Sequence, residues 1–266
     1  MRKLALITGA VALAIASAAF SSQAQAATPY KVSLSVSKTE IKQGDRVVFS
    51  GTVSPAAKGT KLKVQFFDVD QGGNRWRTVA TTTVRSGGKY SKTVEPRDGS
   101  TSYRVYKPSG AGLSGGASRT VIMRAYAWYK MANAPDMGIA YGERYIGQYG
   151  PQTVGGTAVT RYWSSDANGA GKTRWSTLHT CKLVRATVGL DDRSAAGADA
   201  QFRVHADEKR IVSQRVTPGT TVTFTADVPR AETGGVTFSA EARNADRPVY
   251  VNASKPSLYC AFPEDD

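Results

Sequence analysis

Two long stretches of this chain, 31–123 and 172–260, place apolar and polar residues in alternation, a period that suits only strands with one dry and one wet face. Val32, Leu34 and Val36 alternate with Ser33, Ser35 and Ser37, and Leu62, Val64 and Phe66 alternate with Lys61, Lys63 and Gln65. In the second stretch Val222, Phe224, Ala226 and Val228 alternate with Thr221, Thr223, Thr225 and Asp227. Turn residues such as Lys42-Gln43-Gly44-Asp45 and Ser86-Gly87-Gly88 interrupt the pattern every eight to twelve positions. The continuous apolar runs of a parallel sheet are missing, so the spacing predicts an all-β chain of two antiparallel β-sandwiches. The expected divisions are 27–123 for the first sandwich, 124–140 for an aromatic-rich linker and 141–266 for the second.

Residues 1–26 have a different character. Arg2 and Lys3 precede an apolar run over 4–20, and Ala24-Gln25-Ala26 supplies small residues at the end. This is the pattern of a secretory signal peptide. No later stretch reaches the roughly 20 apolar residues of a membrane span. The expectation is a secreted protein, extracellular or wall-associated, that does not insert in a membrane after cleavage and has no nucleic-acid partner.

Secretion gives the two cysteines a meaning. Cys181 and Cys260 are the only thiols, and in an oxidising compartment the economical reading is one disulfide between them. Closing so long a loop stabilises a fold by roughly 4 kcal/mol in the chain-entropy account. Two Cys and two His also exclude multi-cysteine zinc sites, iron–sulfur clusters and three-histidine metal centres.

The formal charge of +14 is unevenly spread. Residues 27–123 hold 16 Lys and Arg against six acids, whereas 124–266 hold 17 against 15. Attraction to an anionic surface is therefore expected of the first module, with Lys61, Lys63, Lys89 and Lys92 as outward candidates, while the second suits uncharged sugars. Residues 124–163 contain Tyr126, Trp128, Tyr129, Tyr141, Tyr145, Tyr149, Tyr162 and Trp163. Such rings either stack on sugar faces or pack a connecting segment against a neighbouring sandwich.

Two resemblances sharpen these expectations. The turn at Lys42-Gln43-Gly44-Asp45, the segment Ser50-Gly51-Thr52-Val53-Ser54-Pro55, then Trp76, Gly88-Lys89-Tyr90 and Tyr103-Arg104-Val105 resemble bacterial Ig-like domains of secreted actinobacterial proteins. That resemblance implies a spacer or adhesive module. Farther on, Trp175-Ser176-Thr177-Leu178-His179-Thr180-Cys181, Ala186-Thr187-Val188-Gly189-Leu190-Asp191-Asp192, Phe202-Arg203-Val204-His205-Ala206-Asp207 and Pro256-Ser257-Leu258-Tyr259-Cys260 resemble the NPCBM family of carbohydrate-binding modules. This implies a jelly-roll, galactose-binding-like sandwich that binds sugar. The family tends to carry Trp-x-Asp-Pro before the terminal cysteine, where this chain has Val251-Asn252-Ala253-Ser254-Lys255-Pro256.

Trp163, Trp175, Tyr250 and Asn252 lie near strand ends or loops and are the candidate carbohydrate-binding residues. Asp191 and Asp192, with Asp199, are candidates for a structural Ca2+, against a turn-and-cap role; no other cofactor is expected. His179 and His205 have no zinc-protease or nucleophile-elbow context, and no triad suggests itself. The expectation is a non-enzymatic protein binding extracellular glycan or cell-wall polysaccharide through its C-terminal module. The alternative is a structural or adhesive envelope protein holding anionic wall polymer or protein through its basic first module.

Overall fold

The alternating stretches form strands throughout the computed structural model, which describes residues 27–69, 75–131, 152–159, 162–229, 233–244 and 246–262. Residues 1–26, expected to be a signal peptide, residues 132–140 of the expected linker, and Tyr141, Tyr145 and Tyr149 lie outside the described residues.

In the first module the strands are β1 (Lys31–Val32), β2 (Ser35–Val36), β3 (Glu40–Lys42), β4 (Val47–Ser54), β5 (Lys61–Asp68), β6 (Arg75–Thr83), β7 (Lys89–Val94), β8 (Gly99–Lys107), β9 (Gly116–Ala117) and β10 (Val121–Lys130). β4 pairs with β1, β2 and β7 in one sheet, while β6, β5, β8 and β10 line up in the other. Their dry faces enclose a core of Phe49, Leu62, Val64, Tyr103 and Met123. β3 runs parallel to β10, setting Ile41 opposite Ala125; among the described residues the other named strand pairs of this sandwich are antiparallel, and Pro29 and Ser114 add an isolated parallel bridge.

The second module contains β11 (Gln152–Val154), β12 (Thr157–Val159), β13 (Tyr162–Ser164), β14 (Gly171–Ser176), β15 (Cys181–Leu190), β16 (Ala200–Ala206), β17 (Lys209–Val216), β18 (Thr221–Asp227), β19 (Gly235–Ala242) and β20 (Val251–Cys260). One sheet has the order β18-β15-β20, with β13 on the far edge of β20; the other has the order β14-β19-β16-β17. Trp163, Trp175, Phe202, Phe238, Leu190 and Leu258 fill the space between them. Cys181 and Cys260 are bonded and sit opposite each other in the β15–β20 register.

Residues 124–130, expected in the linker, are instead the second half of β10. That strand leaves β8 at Ala125 and continues against β20 from Ala127 to Lys130, so a single sheet runs through both modules. Tyr126 stacks on Tyr259 with ring centroids 5.5 Å apart, and Trp128 meets the same ring at 5.2 Å. The aromatics here serve the packing role: two large rings on alternate positions of one strand cover the seam. Lys182 donates to Glu40 Oε2 at 2.6 Å, and the Ser100 amide donates to the Phe262 carbonyl at 2.8 Å, adding polar links between the modules.

Candidate functional site

Three of the four expected sugar-binding residues are interior. Trp163 has no exposed surface and packs edge-on to Phe202 and Phe238, with its Nε1 donating to Thr173 Oγ1 at 2.9 Å. Trp175 is 1% exposed and meets Phe238 edge-on at 5.2 Å. Asn252 is also buried, donating its Nδ2 to Gln152 Oε1. An indole with no open face cannot stack on a pyranose, so the assignment of these residues to binding is corrected to core packing and internal hydrogen bonding. Trp175 shares the inner face of β14 with Thr173, a consequence of the strand's period of two.

Tyr250 alone of the four is half-buried and reaches the surface. It lies where the β15–β16 and β19–β20 connections meet at one end of the sandwich. The Asp191 amide donates to the Tyr250 carbonyl at 2.9 Å, and the Tyr250 amide donates to Ser194 Oγ at 3.0 Å, tying the two loops together. The Arg193 guanidinium stands 4.7 Å above the Tyr250 ring. It is held there because Arg193 Nε donates to Asp191 Oδ1 at 2.6 Å, and the Asp191 carboxylate is almost wholly buried while Arg193 is 57% exposed. A cation over one ring face of a partly exposed tyrosine at a loop end can receive a sugar's hydroxyls and its C–H surface together.

Asp192 completes this end. Its carboxylate accepts from the Gly155 and Gly156 amides at 2.8 and 2.9 Å, in the turn of the β11–β12 hairpin. The Gly156 amide, the Thr153 side chain and the Gly155 amide hold its carboxyl below the usual carboxylate range, outweighing the slight loss of hydration. Both glycines have positive φ, 58° and 73°, the backbone a two-residue hairpin turn requires. Gly189 admits the hairpin: a Cβ there would stand 2.7 Å from Val154 Cγ1 and 2.9 Å from the Thr220 carbonyl oxygen. Asp191 and Asp192 thus serve as loop and turn acceptors, and Asp199 accepts both Nε and Nη2 of Arg215, at 3.0 and 2.9 Å. Among the described residues no three His, Cys, Asp or Glu side chains gather as a metal would need. Arg193, Ser194 and the Gly155-Gly156 turn were not legible as site residues; the adjacent Leu-Asp-Asp-Arg run was the only signal, since their neighbours come from distant segments.

The four lysines proposed for anionic contact do not form one patch. Lys61 and Lys63 point outward from β5, whereas Lys89 points outward from β7 in the opposing sheet. Lys92 is registered against Phe49 and shares the inner side of the strand with Tyr90 and Val94, so it is half-covered instead of outward.

Comparison with known proteins bears on the second module. Residues 166–254 match the NPCBM/NEW2 domain. No curated protein matches the chain. Among solved structures the chain is similar to the CBM51-2 and INT domains of Clostridium perfringens ZmpB, at 9% identity, over 63% of this chain and 38% of that one, with a TM-score of 0.39. It is similar also to those domains with CBM51-2 in complex with GlcNAc, at 11% identity over 63% and 38% of the two chains, TM-score 0.37. A third is the CBM22-1 xylan-binding domain of Paenibacillus barcinonensis Xyn10C, at 13% identity over 42% and 94%, TM-score 0.24. The chain spans about two fifths of the length of the Clostridium structures it matches.

Proposed function

We propose that this is a secreted, non-catalytic protein whose C-terminal module binds extracellular glycan at the loop end built around Tyr250. The match of residues 166–254 to a family named for carbohydrate binding supports the ligand class. The observation that carries the site is the partly exposed Tyr250 under Arg193, with Asp191 fixing the guanidinium. Asp191 and Asp192 are engaged as acceptors by Arg193 and by the hairpin amides, which suits a binding role better than proton shuttling. The leader-like residues 1–26 and the disulfide favour an oxidising, extracellular setting.

The test is a glycan array probed with the chain from residue 27 onward, because a fragment starting at 124 would cut β10 in two. A neutral glycan should bind the protein and be lost on Tyr250→Ala, with the unfolding temperature little changed. Absence of any sugar ligand, or full binding by that variant, rules the site out.

A second reading rests on the basic first module. Lys61 and Lys63 share the outer face of β5, and Lys58 and Lys61 line a cleft with Tyr30 and Lys107. Such a surface holds anionic wall polymer by charge. Salt should then release the protein from wall preparations, and Lys61→Glu with Lys63→Glu should do the same at low salt.

A further inference from the structure

The outer face of the β14-β19-β16-β17 sheet carries polar side chains in registered rows. One row reads Lys172, Ser239, Arg203, Ser213; the next reads Arg174, Thr237, His205, Arg210. In these two rows the β19 residues, Thr237 and Ser239, are small, so they form a floor between the longer side chains of β14 and β16. Those flanking strands lie two strand spacings apart, about 10 Å. Thr237 is 5% exposed although it points away from the core, which shows how far its neighbours overhang it.

One end of this trough is closed. Arg174 crosses over Gly235 to bond Asp207 Oδ1 at 2.5 Å, and a Cβ at Gly235 would collide with that guanidinium. Asp207 Oδ2 accepts from the Gly234 amide at 2.7 Å. Burial acts to raise the Asp207 carboxyl, but the Arg174 and Gly234 hydrogen bonds win and hold it below its ordinary value. Farther along, Arg203 bonds Glu241 at 2.9 Å and Arg215 takes Asp199 through two nitrogens. Each arginine paired on this face holds a carboxylate. Lys172 and Arg210 have no ion pair among the described residues, and both are exposed.

We infer that this outer sheet face is a second binding site, taking an acidic polysaccharide whose uronate carboxylates meet Lys172 and Arg210 while its hydroxyls meet Ser239 and Ser213. The rows contain no large apolar side chain, so recognition comes from charge-assisted hydrogen bonds and hydroxyl partners, as a polyhydroxylated anion requires. The site is separate from Tyr250, which lies in the loops at the end of the sandwich. It also places an anionic contact on the module whose summed charge conceals one.

The experiment titrates the chain from residue 27 with polygalacturonate at low ionic strength, with poly(glutamate), poly(glycerol phosphate) and dextran as parallel probes. Polygalacturonate should bind and be released by salt, and the other probes should bind more weakly. Lys172→Ala with Arg210→Ala should weaken binding on the order of tenfold, Lys172→Arg with Arg210→Lys should retain it, and Lys61→Glu with Lys63→Glu should leave it intact. Removing cations that hold no carboxylate leaves no orphaned partner, and an unchanged near-ultraviolet circular dichroism spectrum establishes that the variant is folded. Wild-type affinity in the folded alanine variant overturns the inference. So does equal or tighter binding of poly(glutamate) or poly(glycerol phosphate), or failure of polygalacturonate to bind.

Discussion

Trp128 on β10 faces Tyr259 on β20 across the seam between the two modules, ring centroids 5.2 Å apart, with the Arg185 guanidinium 3.9 Å over the indole. Three strands thus contribute to one aromatic and cationic stack at the junction. Trp128→Ala should loosen the seam while leaving both cores filled. Thermal unfolding by calorimetry should change from one cooperative transition to two, and a single transition at the original temperature would show that the backbone pairing suffices.

The disulfide lies beside this seam. Cys260 pairs with Ala127 on one side and with Cys181 on the other, and the Ala261 amide donates to the Thr180 carbonyl. Cys181→Ser with Cys260→Ser should cost about 2–5 kcal/mol. Denaturant titration measures the loss, and amide exchange should rise at Ala127–Lys130 as well as at the end of β20.

Trp163→Ala should act on stability first. Emptying a fully enclosed indole site costs about 3–5 kcal/mol, and Thr173 Oγ1 loses its donor. Any fall in sugar affinity should disappear when binding is measured well below the variant's unfolding temperature, whereas the loss on Tyr250→Ala should persist.

His205 gives uronate binding a pH dependence of definite sign. Burial lowers its pKa from 6.5, and Arg203, Arg210 and Lys172 lower it further. The groups around it are Lys172 and Arg174 on β14, Thr237 on β19, Arg203 and Asp207 with β16, and Arg210 on β17. The free protein therefore loses stability from this group as pH falls below 6.5, since the folded state binds the proton less readily than the unfolded chain. A bound polyanion reverses the local potential and raises the pKa. Affinity for polygalacturonate should rise between pH 7 and pH 5, by up to about tenfold for each unit of that increase. His205→Asn should flatten the profile, and an unchanged slope would remove His205 from the site.

Much of the fold was legible because burial follows a period of two. Phe49, Val64 and Phe224 face inward as the alternation requires, and the lone pair of cysteines forms the expected bond. The candidate site was less legible. Trp163 and Trp175 flank a Ser-Ser-Asp-Ala-Asn-Gly turn region and look like loop-end aromatics, but inward parity decides their environment. Lys92 looks solvated by chemistry and is placed by its register with Phe49. The trough brings Lys172, Arg203 and Arg210 together from three strands, and a near-neutral sum over 124–266 conceals their segregation. The polar alternation Gln201, Arg203, His205 was its only local trace.

The shared strand has a consequence for inheritance. Protein modules are exchanged between genes most readily where a chain can be divided in a loop, leaving two intact pieces. Here a crossover within β10 would strip β8 of a neighbour in one product and bare the edge of β20 in the other, and exposed edges invite aggregation. Recombination should therefore carry these two sandwiches as a pair, and a relative holding only the second should supply a replacement strand for β20.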